Sequence, residues 1–209
     1  YEGLTQSARA GRPISYAMFA HSSKPLPGLE QSLEIQRFEF NCKGDAEIQA
    51  ALAAGVTIPA EVKEPLRAIL ANDPAFAISE FDRLLSILWL NHESYIRVTS
   101  PAQVAEALRM LHLCEVQNGL FFDLKPATDG KNEARLLFAI ANPPHTGYVA
   151  QVVEILNRCN VGIRSADVLD VSTGAQPYAL FAMSVRQRKG KAFEDATTLG
   201  DRLQSELFN

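Results

Sequence analysis

Apolar residues recur along this chain with two different spacings, and the alternation between them marks out the elements. Residues 33–40, Leu-Glu-Ile-Gln-Arg-Phe-Glu-Phe, alternate apolar with polar or charged side chains, the pattern of a strand with one wet face. Before them the chain is rich in Gly, Pro and Ser, and only 14–19 looks strand-like. Helical spacing then takes over. Residues 45–54 start acidic, continue in alanine and stop at Gly55, and 59–71 predict a second helix, ended by the turn Asn72-Asp73-Pro74. A third helix is predicted over 79–91, with Phe81, Leu84, Leu85, Leu88 and Trp89 on one face and Ser79 and Asp82 as a capping box. Ser100-Pro101 is a cap followed by a first-turn proline, opening a helix to about Val116. Val104, Leu108, Leu111 and either Cys114 or Glu115 trace its buried stripe.

Period two returns afterwards. Residues 119–124 and 135–141 predict a strand pair joined by a loop containing Asp129-Gly130. A helix follows over 148–160, then strands at 161–172 and 177–188 across the turn 173–176, and a closing helix at 192–207. Ala179, Phe181, Met183 and Val185 alternate toward one core. The order from Arg135 is β-α-β-β-α, one strand short of a split βαβ, ferredoxin-like sheet. In that arrangement the first strand is central, and Leu136 to Ile140 is apolar on both faces as a central strand requires. The strand at 119–124 is expected to fill the missing edge slot, unless residues beyond Asn209 supply it. The predicted fold class is therefore α+β: a ferredoxin-like antiparallel sheet with helices on one face over 118–209. A mainly helical region with one or two strands, 1–117, precedes it.

Composition narrows the function classes. At 209 residues, 47% hydrophobic and with net charge -4, the chain can bury a real core and has no basic footprint for nucleic acid. No uninterrupted apolar run approaches the roughly 20 residues that cross a bilayer. Cys42, Cys114 and Cys159 are odd in number and widely spaced, which suits a reducing cytoplasm. The chain opens at Tyr1 without an initiator methionine and is expected to be a piece of something longer.

The candidate chemistry centres on Asn142-Pro143-Pro144-His145-Thr146-Gly147, between a buried strand and a helix. Gly147 lets a ligand or a backbone approach the helix N-terminus, where free N–H groups favour a carboxylate. Asn142 and Gly147 read equally as cap and turn residues alone. His145 is a turn histidine, and Arg164, near the start of the next strand, is either a solvated edge arginine or a guanidinium fork for a carboxylate. His112 and Cys114, two apart on a helix, do not share a face and lack further ligands. His92 follows a predicted helix end and suits C-terminal capping. Asp123, Asp167 and Asp170 have no histidine or partner at a spacing that sets up acid and base work.

The stretch from Asn142 to Val152, followed by Val161-Gly162-Ile163, resembles the signature of ACT domains, small-molecule sensors that usually take amino acids at a paired interface near a glycine turn. Phe81-Asp82-Arg83-Leu84-Leu85, Leu88-Trp89, Asn91, Tyr95 to Pro101 and Ser172 to Tyr178 widen the likeness. Over about 75–188 the chain is similar to the N-terminal, non-catalytic region of large NAD-dependent glutamate dehydrogenases. That resemblance implies a cytoplasmic, homo-oligomeric regulatory region joined to C-terminal dehydrogenase domains, which would carry the NAD and convert glutamate to 2-oxoglutarate. It implies no catalytic residue, cofactor or metal in these residues, and an amino-acid effector near Asn142, His145, Thr146, Gly147 and Arg164. A purely structural oligomerisation module is the alternative. Asn142 stands where many ACT signatures carry Asp, and no glycine-rich dinucleotide fingerprint is present.

Overall fold

A computed structural model describes residues 44–126, 133–143 and 148–187, the backbone of 16–21 and 34–40, and residues 198, 201–202 and 205–206. The elements are β1 (Tyr16–His21), β2 (Glu34–Phe40), α1 (Asp45–Ala54), α2 (Ala60–Leu70), α3 (Phe81–Val98), α4 (Pro101–Val116), β3 (Leu120–Pro126), β4 (Glu133–Ala141), α5 (Tyr148–Arg158), β5 (Val161–Ser172) and β6 (Pro177–Gln187). Most expected boundaries fall within two residues of these. The loop at 127–132 and most of the expected closing helix lie outside the described residues, although Thr198, Asp201, Arg202, Ser205 and Glu206 have helical backbone.

The protein is α+β, and β3, β4, β6 and β5 form a four-stranded antiparallel sheet. β4 and β5 run the same way with β6 between them, and α5 makes the crossover. β3 pairs with β4 from Leu120↔Ile140 to Pro126↔Ala134, so Phe121 and Phe138 share one sheet. The central strand β4 is buried along six consecutive residues, Leu136 to Ala141. Alternation sends Leu136, Phe138 and Ile140 into one core with α5, and Leu137, Ala139 and Ala141 into another with α2, α3 and α4.

Helices therefore cover both faces of the sheet. α5 lies on one, and the helices of the preceding region close the other, which the expected one-sided packing did not include. The reason is the apolar second face of β4, β5 and β6, where Leu137, Leu169, Val171 and Leu180 need cover as much as Phe138 and Phe181 do. α4 packs both on this face and against α2 and α3, so its buried positions run from Val104 through Ala105, Leu108, Met110, Leu111 and Cys114 rather than along one narrow stripe. Cys114 is the buried member of the Cys114/Glu115 pair.

β2 adds to the sheet at the β5 edge in parallel, and β1 pairs antiparallel outside it, giving the order β1-β2-β5-β6-β4-β3. Both pairings of β2 change register around Gln36, where the apolar alternation of its sequence also changes phase, from Leu33 and Ile35 to Phe38 and Phe40.

Two local expectations change. The residues Ile78–Glu80 form a 3-10 turn, and no side chain caps α3. Asp82 instead bonds Arg67 and Lys63 of α2, each at 2.7 Å, and these cations hold its carboxyl below its ordinary range. The helix does not end at Asn91: it kinks at His92 (φ -141°, ψ 50°) and continues to Val98. His92 is buried rather than capping, its Nε2 2.8 Å from the carbonyl oxygen of Asp170. Asn91 donates through Nδ2 to the carbonyls of Ile87 and Ser172, both at 2.8 Å, and its Oδ1 accepts the Ser172 N–H at 2.9 Å. The kink thus places an amide against the end of β5 like a short extra strand. Ser100 does cap α4, accepting the Gln103 N–H, with Pro101 in the first turn.

Candidate functional site

α4 ends in the arrangement that builds the site. Asn118 takes the left-handed conformation (φ 58°), Gly119 follows at φ 94°, and the Gly119 N–H donates 2.8 Å to the Cys114 carbonyl, the long bond of a Schellman cap. Gly119 then accepts the Ala141 N–H at 2.8 Å, which carries the helix end directly into the β3–β4 ladder. A Cβ on Gly119 would lie 3.1 Å from the Ala141 Cβ in addition to straining its positive φ. Continuing the β3–β4 register by two residues sets Asn118 opposite Asn142. Asn142 is also left-handed (φ 49°), and its N–H donates 2.8 Å to the Pro177 carbonyl. Two asparagines thus end two neighbouring strands at one rim, each tolerating φ > 0 because of its short polar side chain.

Here opens a pocket of about 540 Å³, lined by Glu115, Asn118, Gly119, Asn142, Gln176 and Tyr178 among others. Its size is that of small-molecule sites. The Tyr178 hydroxyl donates 3.2 Å to Oε1 of Gln176, and the turn that carries Gln176 is closed by Thr173, whose N–H donates to the Gln176 carbonyl at 3.0 Å. Glu115 takes two bonds from Arg83, at 2.5 and 3.3 Å, and Arg83 also bonds Glu80 at 2.7 Å. Burial, then the negative charge of Glu115, push the Tyr178 hydroxyl and the Cys114 thiol each up to about 12.

Of the residues expected at an effector site, Asn142 is exposed on the rim of this pocket, while His145, Thr146 and Gly147 lie outside the described residues. Arg164 is elsewhere. It sits at the β5 register shift between Ile163 and Ser165, a bulge, and pairs with Glu133 at the start of β4. Asn142 is level with Pro177 and Ser172, so roughly 25 Å of strand, at about 3.3 Å per residue, separates the two within one chain. β5 is also not an edge strand, because β2 lies beside it.

His112, Trp89, Asp123 and Asp170 have structural surroundings. His112 Nε2 accepts the Ala77 N–H at 3.2 Å and its ring packs on Phe76, with centroids 5.0 Å apart. Trp89 is core, with Arg97 over its ring at 4.9 Å. Asp123 pairs with Lys125 at 3.2 Å and Arg109 at 3.7 Å. Asp170, half-buried on the α5 face beside Tyr148, is held above its ordinary carboxyl range by burial, against a smaller pull from His92. Glu115, Asn118, Gln176 and Tyr178 join the pocket wall although no sequence motif marks them as site residues. The Asn118-Gly119 pair after a long helix was the available signal, since it marks a left-handed helix end where backbone and side chains open to solvent.

The chain matches no known protein-family model, and no curated protein matches it significantly.

Proposed function

We propose that this chain is a non-catalytic regulatory and assembly region of ACT type, with a ferredoxin-like sheet, belonging to a large NAD-dependent glutamate dehydrogenase. The order β5-β6-β4-β3 with α5 crossing from β4 to β5 carries the reading, together with an open pocket where β4 ends at Asn142. The oxidative deamination of glutamate to 2-oxoglutarate, and the NAD it needs, belong to other domains of the parent. An amino acid held near Asn142, His145, Thr146 and Gly147 would bias the enzyme between two states, to the extent that it binds one more tightly than the other.

Titration calorimetry of the chain with each standard amino acid tests this: one or more saturable heats are expected, and uniformly flat titrations would refute sensing. A flat result would favour the second reading, an oligomerisation module without ligand. The engagement of Arg164 by Glu133, and the cover of β5 by β2, speak for that reading. It predicts self-association by sedimentation that is indifferent to amino acids.

A further inference from the structure

We infer that the pocket between the end of α4 and the Asn142 rim binds a small organic cation, a primary ammonium, with Glu115 as its counter-ion. The inference rests on the charge of the pocket and not on the dehydrogenase parentage. Among the described residues, Glu115 is the only formally charged side chain that lines the pocket. Its negative charge is not cancelled, because the single guanidinium of Arg83 is shared between Glu115 and Glu80. One negative charge is left over, and a carboxylate has about four lone-pair sites of which Arg83 occupies two.

The backbone adds to the same sign. Glu115, Asn118 and Gly119 stand at the C-terminal end of α4, the negative pole of the helix, and no basic residue sits in its last turn to offset it. The other polar groups facing the space are the amides of Asn118, Asn142 and Gln176 and the hydroxyl of Tyr178. Because that hydroxyl spends its proton on Gln176, its lone pairs are left to accept. An ammonium, with three donors and no acceptor, is complementary to such a wall. A carboxylate would be desolvated against Glu115 with no cation among the described lining residues to receive it. A divalent metal ion is a poor fit, because hard cations take six or more oxygens with several carboxylates among them. Among the described residues no group of three acidic, histidine or cysteine side chains is placed to hold a metal. Of the lining groups, the Tyr178 hydroxyl is raised first by burial and then by the charge of Glu115, in keeping with a negative wall.

The test uses the whole chain at low ionic strength, titrated by calorimetry with ethanolamine and 1,4-diaminobutane, and with acetate and propionate as amine-free anions. Both amines are expected to bind at one site and to weaken as salt is added. The anions are expected to give no heat. Glu115→Gln should weaken amine binding by about 10-fold or more, the usual worth of a hydrogen bond to a charged group. Because that change also releases Arg83, a second variant reads the opposite sign: Arg83→Gln frees Glu115 and should tighten amine binding. Silence from both amines, binding of the anions, unchanged affinity in Glu115→Gln or weaker binding in Arg83→Gln would each overturn the inference. Amines that bind where no amino acid does would uphold it while refuting amino-acid sensing. Amino acids that bind with no dependence on Glu115 would do the reverse.

Discussion

Replacing Asn91 by alanine tests whether the kink in α3 is tied to the sheet as the geometry implies. The side chain is 5% exposed and makes three hydrogen bonds, two of them to both backbone groups of Ser172 at 2.8 and 2.9 Å. Neither group has a ready substitute: across the ladder Ser172 faces Pro177, which has no N–H to offer the Ser172 carbonyl and whose own carbonyl already accepts from the Asn142 N–H. Truncation leaves a part-buried N–H and C=O unpaired, at about 1–3 kcal/mol each where water cannot reach them. Partial access of water at the strand end lowers the sum to about 2–4 kcal/mol. Urea unfolding followed by circular dichroism measures it. With a slope of about 2 kcal/mol per molar, the midpoint should fall by about 1–2 M at unchanged slope. Asn91→Asp sets a carboxylate against the Ile87 and Ser172 carbonyls, so at neutral pH it should cost at least as much as Asn91→Ala. A midpoint shift below about 0.3 M for Asn91→Ala would show that water replaces the amide freely and that the kink is not anchored there.

Two further outcomes follow from other parts of the fold. Gly174 has φ 82° and a Cβ there would meet Gln49 Cγ at 2.5 Å and the Asp45 carbonyl at 3.1 Å, whereas nothing lies within 4 Å of a Cβ on Gly44. Gly174→Ala should therefore cost about 1–3 kcal/mol in thermal unfolding and Gly44→Ala less than about 0.5, and equal effects would refute the close docking of the β5–β6 turn on α1. Burial raises the Asp170 carboxyl above its ordinary value. As pH rises the unfolded chain ionises this group first, so the native state holds more protons and stability falls through that window, with no contribution below the unfolded value. Asp170→Asn should thus melt higher than the parent at neutral pH and no higher near pH 3, and a lower neutral melting temperature would contradict the assignment.

Much of the local structure was legible in the sequence because its signals are local. The acidic start and Gly55 stop of α1, the Ser100-Pro101 opening of α4 and the both-faced apolar run of β4 each depend on residues a few positions apart. The expected fit of the strand at 119–124 beside β4 follows from topology, since a β-α-β-β-α order lacks the strand that lies antiparallel beside the first in a complete ferredoxin-like sheet. The candidate site was only half legible. Asn142 stood out through the turn that follows it, but Glu115, Gln176 and Tyr178 come from α4 and the β5–β6 turn, and no spacing along the chain relates them.

What the sequence determined by itself is which segments become helix or strand and which of their faces are apolar, because propensity, capping and periodicity act over one or two turns. Tertiary structure alone decided where those faces went. The period-two pattern of β2 says that it is a strand with one wet face, yet only the open edge of β5 made it a parallel neighbour 130 or more residues away. Arg164, expected near the strand margin, lies at a bulge in the β5–β6 ladder and pairs with Glu133 of β4, a contact that only the folded sheet sets up. The second apolar face of the sheet likewise drew α3 and α4 onto it, and in ending there α4 brought Glu115 and Asn118 to the rim at Asn142. Burial of apolar area is non-directional, so it demands cover without naming the partner, and only the folded chain's geometry supplies the one that fits.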